Sequence, residues 1–481
     1  MRRLSLVAPL AAATMLTGCI DLAPAYHRPA EPIPASFPTG PAYPPATNAT
    51  QPVVGWRDFF SDPKLKAVIE QALANNRDLR VAVANIAAAR AQYRVQRAAL
   101  FPTISAQGAA TLAAEPASVV EGGAPGAGKG VFDEHIYTLT AGTSAYQVDL
   151  FGKIRDLTRA QQDRYFATRA ARDATQISLV SEVAADYLTL GADRSLLAIA
   201  QDTFKSSSES LTVTQQRLSA GVATGLDVSQ AQTLAQQARF DVARLTTQVA
   251  QDRNALDLVV GAPVTDDLLP TGVGDATVVL ERLPAAVNSG VLLERPDVLE
   301  AEDQLRAANT NIGAARAAFF PDIELTASGG LASIALSALF RGSAGAWSFA
   351  PTITQTLFDA GANRGNLDLA KAQRDAGVAT YEKTVQTAFR EVADALAQRG
   401  TIDEELAAQQ ALTDASDNAF QLSSARYQRG VDTYLNVLVA QRTLYAARQT
   451  LVASQLARQT NLVTLYTALG GGLNTTHRPP G

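Results

Sequence analysis

The chain repeats itself. Asn76-Arg-Asp-Leu79 leads through an Ala-rich run to Ala99-Leu-Phe-Pro102, and Glu294-Arg-Pro-Asp297 leads through a similar run to Ala318-Phe-Phe-Pro321. Leu150-Phe-Gly152 corresponds to Leu357-Phe358 with Gly361, and Arg217-Leu-Ser-Ala-Gly-Val222 to Tyr427-Gln-Arg-Gly-Val431. The offset stays near 207 to 219 residues across all four landmarks. Order and spacing kept together indicate an internal duplication, so whatever one half folds into, the other must fold into as well.

Within each half the hydrophobic period changes. After Pro321, Ile323, Leu325 and Ala327 alternate with Asp322, Glu324, Thr326 and Ser328; Trp347, Phe349, Pro351 and Ile353 alternate with Ser348, Ala350, Thr352 and Thr354. Thr103 to Leu112 and Ile136 to Leu150 are weaker versions in the first half. A period of two with one apolar and one polar face suits a strand between lipid and water, and equally a strand of a soluble sandwich. If these strands meet lipid, four cannot close a barrel, because small membrane barrels need about eight. Open edges are not tolerated in hydrocarbon, so several chains would share one barrel, and three would supply twelve strands.

The remainder reads as long helix. No proline occurs from Lys153 to Ala262 or from Thr352 to Arg478, and each tract breaks near a Gly-Val step, Gly221-Val222 or Gly430-Val431. Each tract is therefore expected to be a long helix, a tight turn and a returning helix; Lys153 to about Ser219 would run roughly 100 Å at 1.5 Å per residue. Apolar residues recur at coiled-coil spacing: Val385, Phe389, Val392, Leu396; Val242, Leu245, Val249, Leu256; Val437, Leu444, Leu451 beside Leu438, Tyr445, Val452. Two adjacent stripes imply two partners per helix, as in a sheet of helices; a solvent-exposed rod is the alternative.

Composition excludes several functions. The net charge of -5 argues against nucleic acid as a partner. Three histidines stand far apart, Cys19 is the single cysteine, and both methionines precede it, so neither a Cys-based metal site nor a catalytic triad is legible. No enzymatic activity, cofactor or metal is expected.

Arg2-Arg3, the apolar run Leu4 to Met15 and Leu16-Thr17-Gly18-Cys19 resemble a bacterial lipoprotein leader, with Cys19 as the acylated residue. The apolar run is too short to span a bilayer as a helix. By resemblance to lipoprotein sorting, Ile20 directly after the cysteine favours the outer membrane. A Pro-rich stretch from Pro24 to Pro52 forbids helix and favours an extended spacer along the side of the protein, with a disordered leader as the alternative.

Nearly the whole chain resembles TolC-like outer-membrane efflux factors of the NodT lipoprotein branch. The resemblance rests on Trp56, Phe60, Asp62, Leu65, Asn76 and Leu79; on Arg295-Pro-Asp297, Ala301-Glu302, Ala308-Asn309 and Ile312-Gly313; on Phe340, Gly342, Trp347 and Leu357-Phe-Asp359; and on Tyr427, Gly430-Val431 and Tyr434-Leu435. It implies a mainly α protein with membrane β: long helices forming a trimeric α-barrel, and four strands per chain contributing to a twelve-stranded transmembrane barrel. A mixed α/β belt would form around residues 60–75, 262–294 and the C-terminal region. The implied division is a signal peptide 1–18, an acylated linker 19–55, repeats 56–262 and 294–470, an equatorial connection 263–293 and a tail 471–481.

The same resemblance implies a homotrimer in the outer membrane, a periplasmic adaptor, and an inner-membrane pump of the resistance-nodulation-division type. The exported cargo would be small molecules. Type I protein secretion, or a non-conducting envelope spacer, are the alternative readings. Gly221, Val222, Gly430 and Val431 would form the adaptor-facing tip. Leu435 matches an apolar gate position, with inter-helix packing as its other reading. Val439 stands where an Asp is expected, which leaves Asp432 or Asp227 as substitutes; Arg426 and Arg429 would either link protomers or be solvated.

Overall fold

The computed structural model describes residues 21–44, 55–116, 131–274 and 288–472. Cys19, the leader and most of the tail 471–481 lie outside these described residues. After a single helical turn at Trp56–Phe59, the elements are α1 (Pro63–Asn75), α2 (Arg77–Ala98), β1 (Ser105–Pro116), β2 (Val131–Gln147), α3 (Lys153–Ser219) and α4 (Gly225–Val260). The second half supplies α5 (Pro296–Ala317), β3 (Asp322–Ser333), β4 (Gly345–Thr354), α6 (Ala362–Gln428) and α7 (Tyr434–Ala468). The halves agree closely in length: α2 and α5 are both 22 residues, α3 and α6 both 67, α4 and α7 36 and 35.

Local chemistry sets several boundaries. Asp62 accepts from Lys64 N at 2.8 Å and Pro63 opens α1 without a wasted donor. Pro296 opens α5 in the same way. Arg295 before it is buried and donates to Ala468 O at 2.6 Å, to Asp297 at 2.7 Å and to Glu391 at 2.8 Å, so the Arg-Pro-Asp triplet starts a helix and ties it to the end of α7 and the middle of α6.

The described residues divide into two compact units, and each repeat contributes to both. One takes the described parts of Met1–Arg28, Ala87–Phe166 and Glu302–Ala379; the other takes Pro29–Ile86, Ala167–Ala301 and Thr380–Gly481. In the first, the strands form one antiparallel sheet in the order β1-β2-β3-β4. A bulge interrupts β2 between Thr143 and Tyr146, where Ala145 has φ 54°. The strands run further than the alternation suggests: β1 reaches Pro116 and β2 begins at Val131, because backbone ladder bonds continue past the last patterned residues. Pro116 ends an edge strand, where its missing N–H breaks no ladder.

The core of the second unit gathers Trp56, Phe59, Phe60, Leu65 and Ile69 around Tyr187, Leu188, Leu256, Val260, Leu462 and Tyr466. Phe59 stacks on Tyr466 with centroids 4.4 Å apart. Fully burying each such large side chain contributes about 1.5–3 kcal/mol. The heptad residues Leu245, Val385, Val392, Leu396, Val437, Leu438, Leu444, Tyr445 and Val452 are buried, while Phe389 is half-buried and stacks on Phe37 of the Pro-rich segment. Among the described residues, the regions expected to form the mixed belt hold α1 and short 3-10 turns at Asp266–Leu268 and Ser289–Glu294. An isolated antiparallel bridge joins Ser36 to Asn288 there. No described helix is long and apolar enough to cross a membrane.

Candidate functional site: a two-faced sheet and paired helical tips

The strand register sorts the sheet into two chemically distinct faces. Ser328 opposes Ser348 and Gly142, Glu324 opposes Thr352, and Gln107 opposes Thr140, so one face carries Gln107, Thr138, Thr140, Glu324, Thr326, Ser328, Ser348 and Thr352. The Ser328 and Ser348 hydroxyls are 2.8 Å apart on it. The other face pairs Ile323 with Ile353, Ala327 with Phe349, and Leu331 with both Leu139 and Gly345. Trp347 on this face is 83% exposed and Ile353 69%, so the chain leaves large apolar side chains uncovered. Asp322 and Glu324, at the start of β3, stand on the polar face; Asp322 is held by Gln147 and by Lys153 at 3.4 Å. Within the described residues β1 and β4 each keep one unpaired edge.

At the other functional element, each long helix ends in the same way. Gly221 and Gly430 take left-handed backbone, φ 74° and 72°, which glycine adopts without penalty. Val222 N donates to Arg217 O at 2.9 Å and Gly221 N to Leu218 O at 3.0 Å; Val431 N to Arg426 O and Gly430 N to Tyr427 O repeat the pattern at 3.0 Å. These bonds close the orphaned carbonyls and leave Val222 and Val431 projecting, both well exposed.

The returning helices begin differently, α4 with a side-chain cap and α7 without one. Asp227 is engaged in a reciprocal cap: its carboxylate accepts from Thr224 N at 2.8 Å, and Thr224 Oγ1 accepts from Asp227 N at 3.2 Å. Asp432 accepts from Asn436 Nδ2 at 2.6 Å, Thr433 N at 2.8 Å and Arg426 Nε at 3.1 Å. These bonds, Asn436 first, hold its carboxyl below the usual range. Arg426 therefore pairs within its own chain. Behind the tips, Tyr434, Val437 and Leu438 bury against Ala231 and Leu234. Arg217 lies 4.3 Å over the ring of Tyr427, which packs against Tyr434 at 5.5 Å.

Leu435 points away from that cluster and is 50% exposed, with Val439 also exposed one turn on. The duplication offset places Leu226 at the position equivalent to Leu435, and it is 66% exposed. Its signal in the sequence is that offset alone. Among the described residues no group of three or more His, Cys, Asp or Glu is arranged to hold a metal ion.

A family model described as outer membrane efflux protein matches residues 68–262 and 288–471. The toluene efflux pump outer membrane protein TtgC of Pseudomonas putida is 44% identical over 470 residues, spanning 97% of this chain and 96% of the relative. The outer membrane protein OprJ of Pseudomonas aeruginosa is 40% identical over 455 residues, spanning 95% and 93%. Among solved structures, the open state of the Neisseria gonorrhoeae MtrE outer membrane channel superposes with a TM-score of 0.84 at 36% identity, covering 94% of this chain and 98% of that one. A membrane protein from Pseudomonas aeruginosa superposes with a TM-score of 0.85 at 40% identity, covering 94% and 97%.

Proposed function

The chain belongs to the outer membrane efflux protein family, and on that premise we propose that three copies build one continuous exit duct for small toxic compounds. It is the outer-membrane channel of a tripartite efflux system. The observation that carries the assembly is the open sheet: four strands, an uncovered apolar face and a free edge on each side. Bare edges are intolerable in hydrocarbon. Pairing β4 of one copy with β1 of the next removes every edge and turns Trp347, Phe349 and Ile353 toward lipid, leaving the Ser/Thr/Gln face to line water.

Pump relatives named for toluene, solvent and antibiotic efflux support small molecules as cargo rather than secreted proteins. An inner-membrane pump of the resistance-nodulation-division type and a periplasmic adaptor complete the path. Gly221-Val222 and Gly430-Val431 are the adaptor-facing turns, offering exposed apolar side chains on rigid caps. Leu435, with Leu226 beside it in the duplicated scheme, forms the apolar part of the gate; Asp227 contributes to it by capping α4, and Asp432 by holding Thr433, Asn436 and Arg426 together at the start of α7. Acylation at Cys19 adds a second anchor to the barrel. The duct does no chemistry; opening is a shift between conformations driven by its partners.

Planar-bilayer recording of the purified protein tests this reading: discrete cation-passing steps are expected, and a protein that never conducts would be a spacer. Co-expression with pump and adaptor should raise tolerance to toluene, whereas restored export of a protein substrate alone would point to type I secretion.

A further inference from the structure

Residues 21–28 run as an extended strap across one side of α5. Glu302, Arg306, Asn309, Gly313 and Arg316 recur at alternating four- and three-residue spacing, which lines up a single helix face. Glu302 is fully buried and accepts from Arg28 at 2.5 Å and from Arg306 Nε at 3.0 Å, while the Arg306 guanidinium lies 4.7 Å over Tyr26. Asn309 Nδ2 donates to Pro24 O at 2.8 Å and Arg316 Nη1 to Leu22 O at 2.9 Å. From α3, Arg159 pairs with Asp21.

At the centre of this junction is a group that the duct does not use. Asp156 has no exposed surface, and neither carboxylate oxygen has a hydrogen-bond partner; Arg159 Nη1 is 3.6 Å from Oδ1. A Cβ on Gly313 would collide with Asp156 Oδ2 and stand 2.6 Å from Ala23 N, so strap, α3 and α5 meet where only glycine fits. The charged groups around Asp156 are Asp21 from the strap, Asp149 from the segment before α3, and Arg155 and Arg159 from α3. On the α5 side it meets Gly313, with Arg316 occupied by Leu22 O. All of this burial comes from one chain, so it does not depend on assembly.

We propose that Asp156 is a proton-binding site that latches the strap: proton uptake seats residues 21–28 against α3 and α5, and proton loss loosens them. A neutral carboxyl in this position removes both an unsolvated charge and its repulsion from Asp21. Burial first, then the Asp21 charge, pushes the Asp156 carboxyl up to about 6 from the ordinary 3.8. Asp21 moves the opposite way, held low by its bond to Arg159, and stays ionised throughout. For a group raised in the seated state, the favourable contribution is complete below the released value and is lost as pH rises through the seated one. If release restores the ordinary value, the seated-to-released ratio rises about tenfold from pH 7.5 to pH 5.

A nitroxide on Ala25→Cys, an exposed strap position, reads the latch in the full-length acylated protein, with the parent chain as blank. The mobile-to-immobile ratio of its spectrum should increase about tenfold from pH 5 to pH 7.5, with a midpoint near 6. Asp156→Asn, neutral and nearly isosteric, should hold the label immobile at both values, and Gly313→Ala should free it at both. A ratio that does not change with pH in the parent sequence, or an unchanged pH step in Asp156→Asn, overturns the proposal. An immobile label in Gly313→Ala removes the three-way junction from it.

Discussion

Arg217, on the last turn of α3, places its guanidinium 4.3 Å above the ring of Tyr427, on the last turn of α6. The two residues are 210 positions apart in sequence, yet they fasten one helical hairpin of the duplication to the other. Replacing Arg217 by Ala should remove about 0.5–2 kcal/mol of this attachment and raise the open probability in planar bilayers. Arg217→Lys should retain part of the effect, and an open probability indifferent to both changes would leave the contact without a gating role.

Leu435→Ser and Leu226→Ser each place a hydroxyl on the exposed apolar surface of a tip. Higher conductance and greater uptake of large antibiotics are expected, with the double substitution exceeding either single one. Permeability equal to the parent in all three would take both leucines out of the gate.

Asp432 supplies the acid response of the tip. Its carboxyl is held below the ordinary 3.8 by Asn436, Thr433 and Arg426. Its stabilising contribution is therefore present above about 3.8 and lost as pH falls through the lower native value. Conductance should stay constant from pH 7 to pH 5 and rise only at strongly acidic pH. Asp432→Asn should shift that leaky behaviour to neutral pH, and a variant whose conductance matches the parent at pH 7 contradicts the assignment.

Arg295 is buried with three acceptors. Truncation to Ala removes charge-assisted bonds to Ala468, Asp297 and Glu391, costing on the order of 2–3 kcal/mol once the solvent exposure of the two carboxylates is discounted. A lowered melting temperature with unchanged single-channel conductance is the expected pattern; a conductance change at full stability would give Arg295 a different role.

Reversing charge at Asp322 and Glu324 with Lys should weaken cation preference in bi-ionic measurements, because the strand register puts both on the polar face. Selectivity identical to the parent would assign that face elsewhere.

Much of this architecture is legible before any coordinates. The proline-free tracts and Gly-Val steps delimit α3 from Lys153 to Ser219, since a left-handed glycine stops a helix from local chemistry alone. The sheet faces follow from the alternation in β3 and β4. Strand ends do not, because β1 and β2 are continued by backbone pairing that is blind to side-chain pattern. Thr224-Gly-Leu-Asp227 has the spacing of a capping box, so the role of Asp227 is readable locally, whereas Asp432 depends on Arg426 from the preceding helix. The prolines announce an extended N-terminal segment. Its partners Glu302, Asn309 and Gly313 share a helix face in sequence, but that the strap lies on that face appears only when α3 and α5 are placed together.

Native mass spectrometry of the detergent-released protein addresses the shared barrel most directly. Three chains in one particle are predicted, persisting when Cys19 is replaced by Ser; a particle containing a single chain would contradict the account.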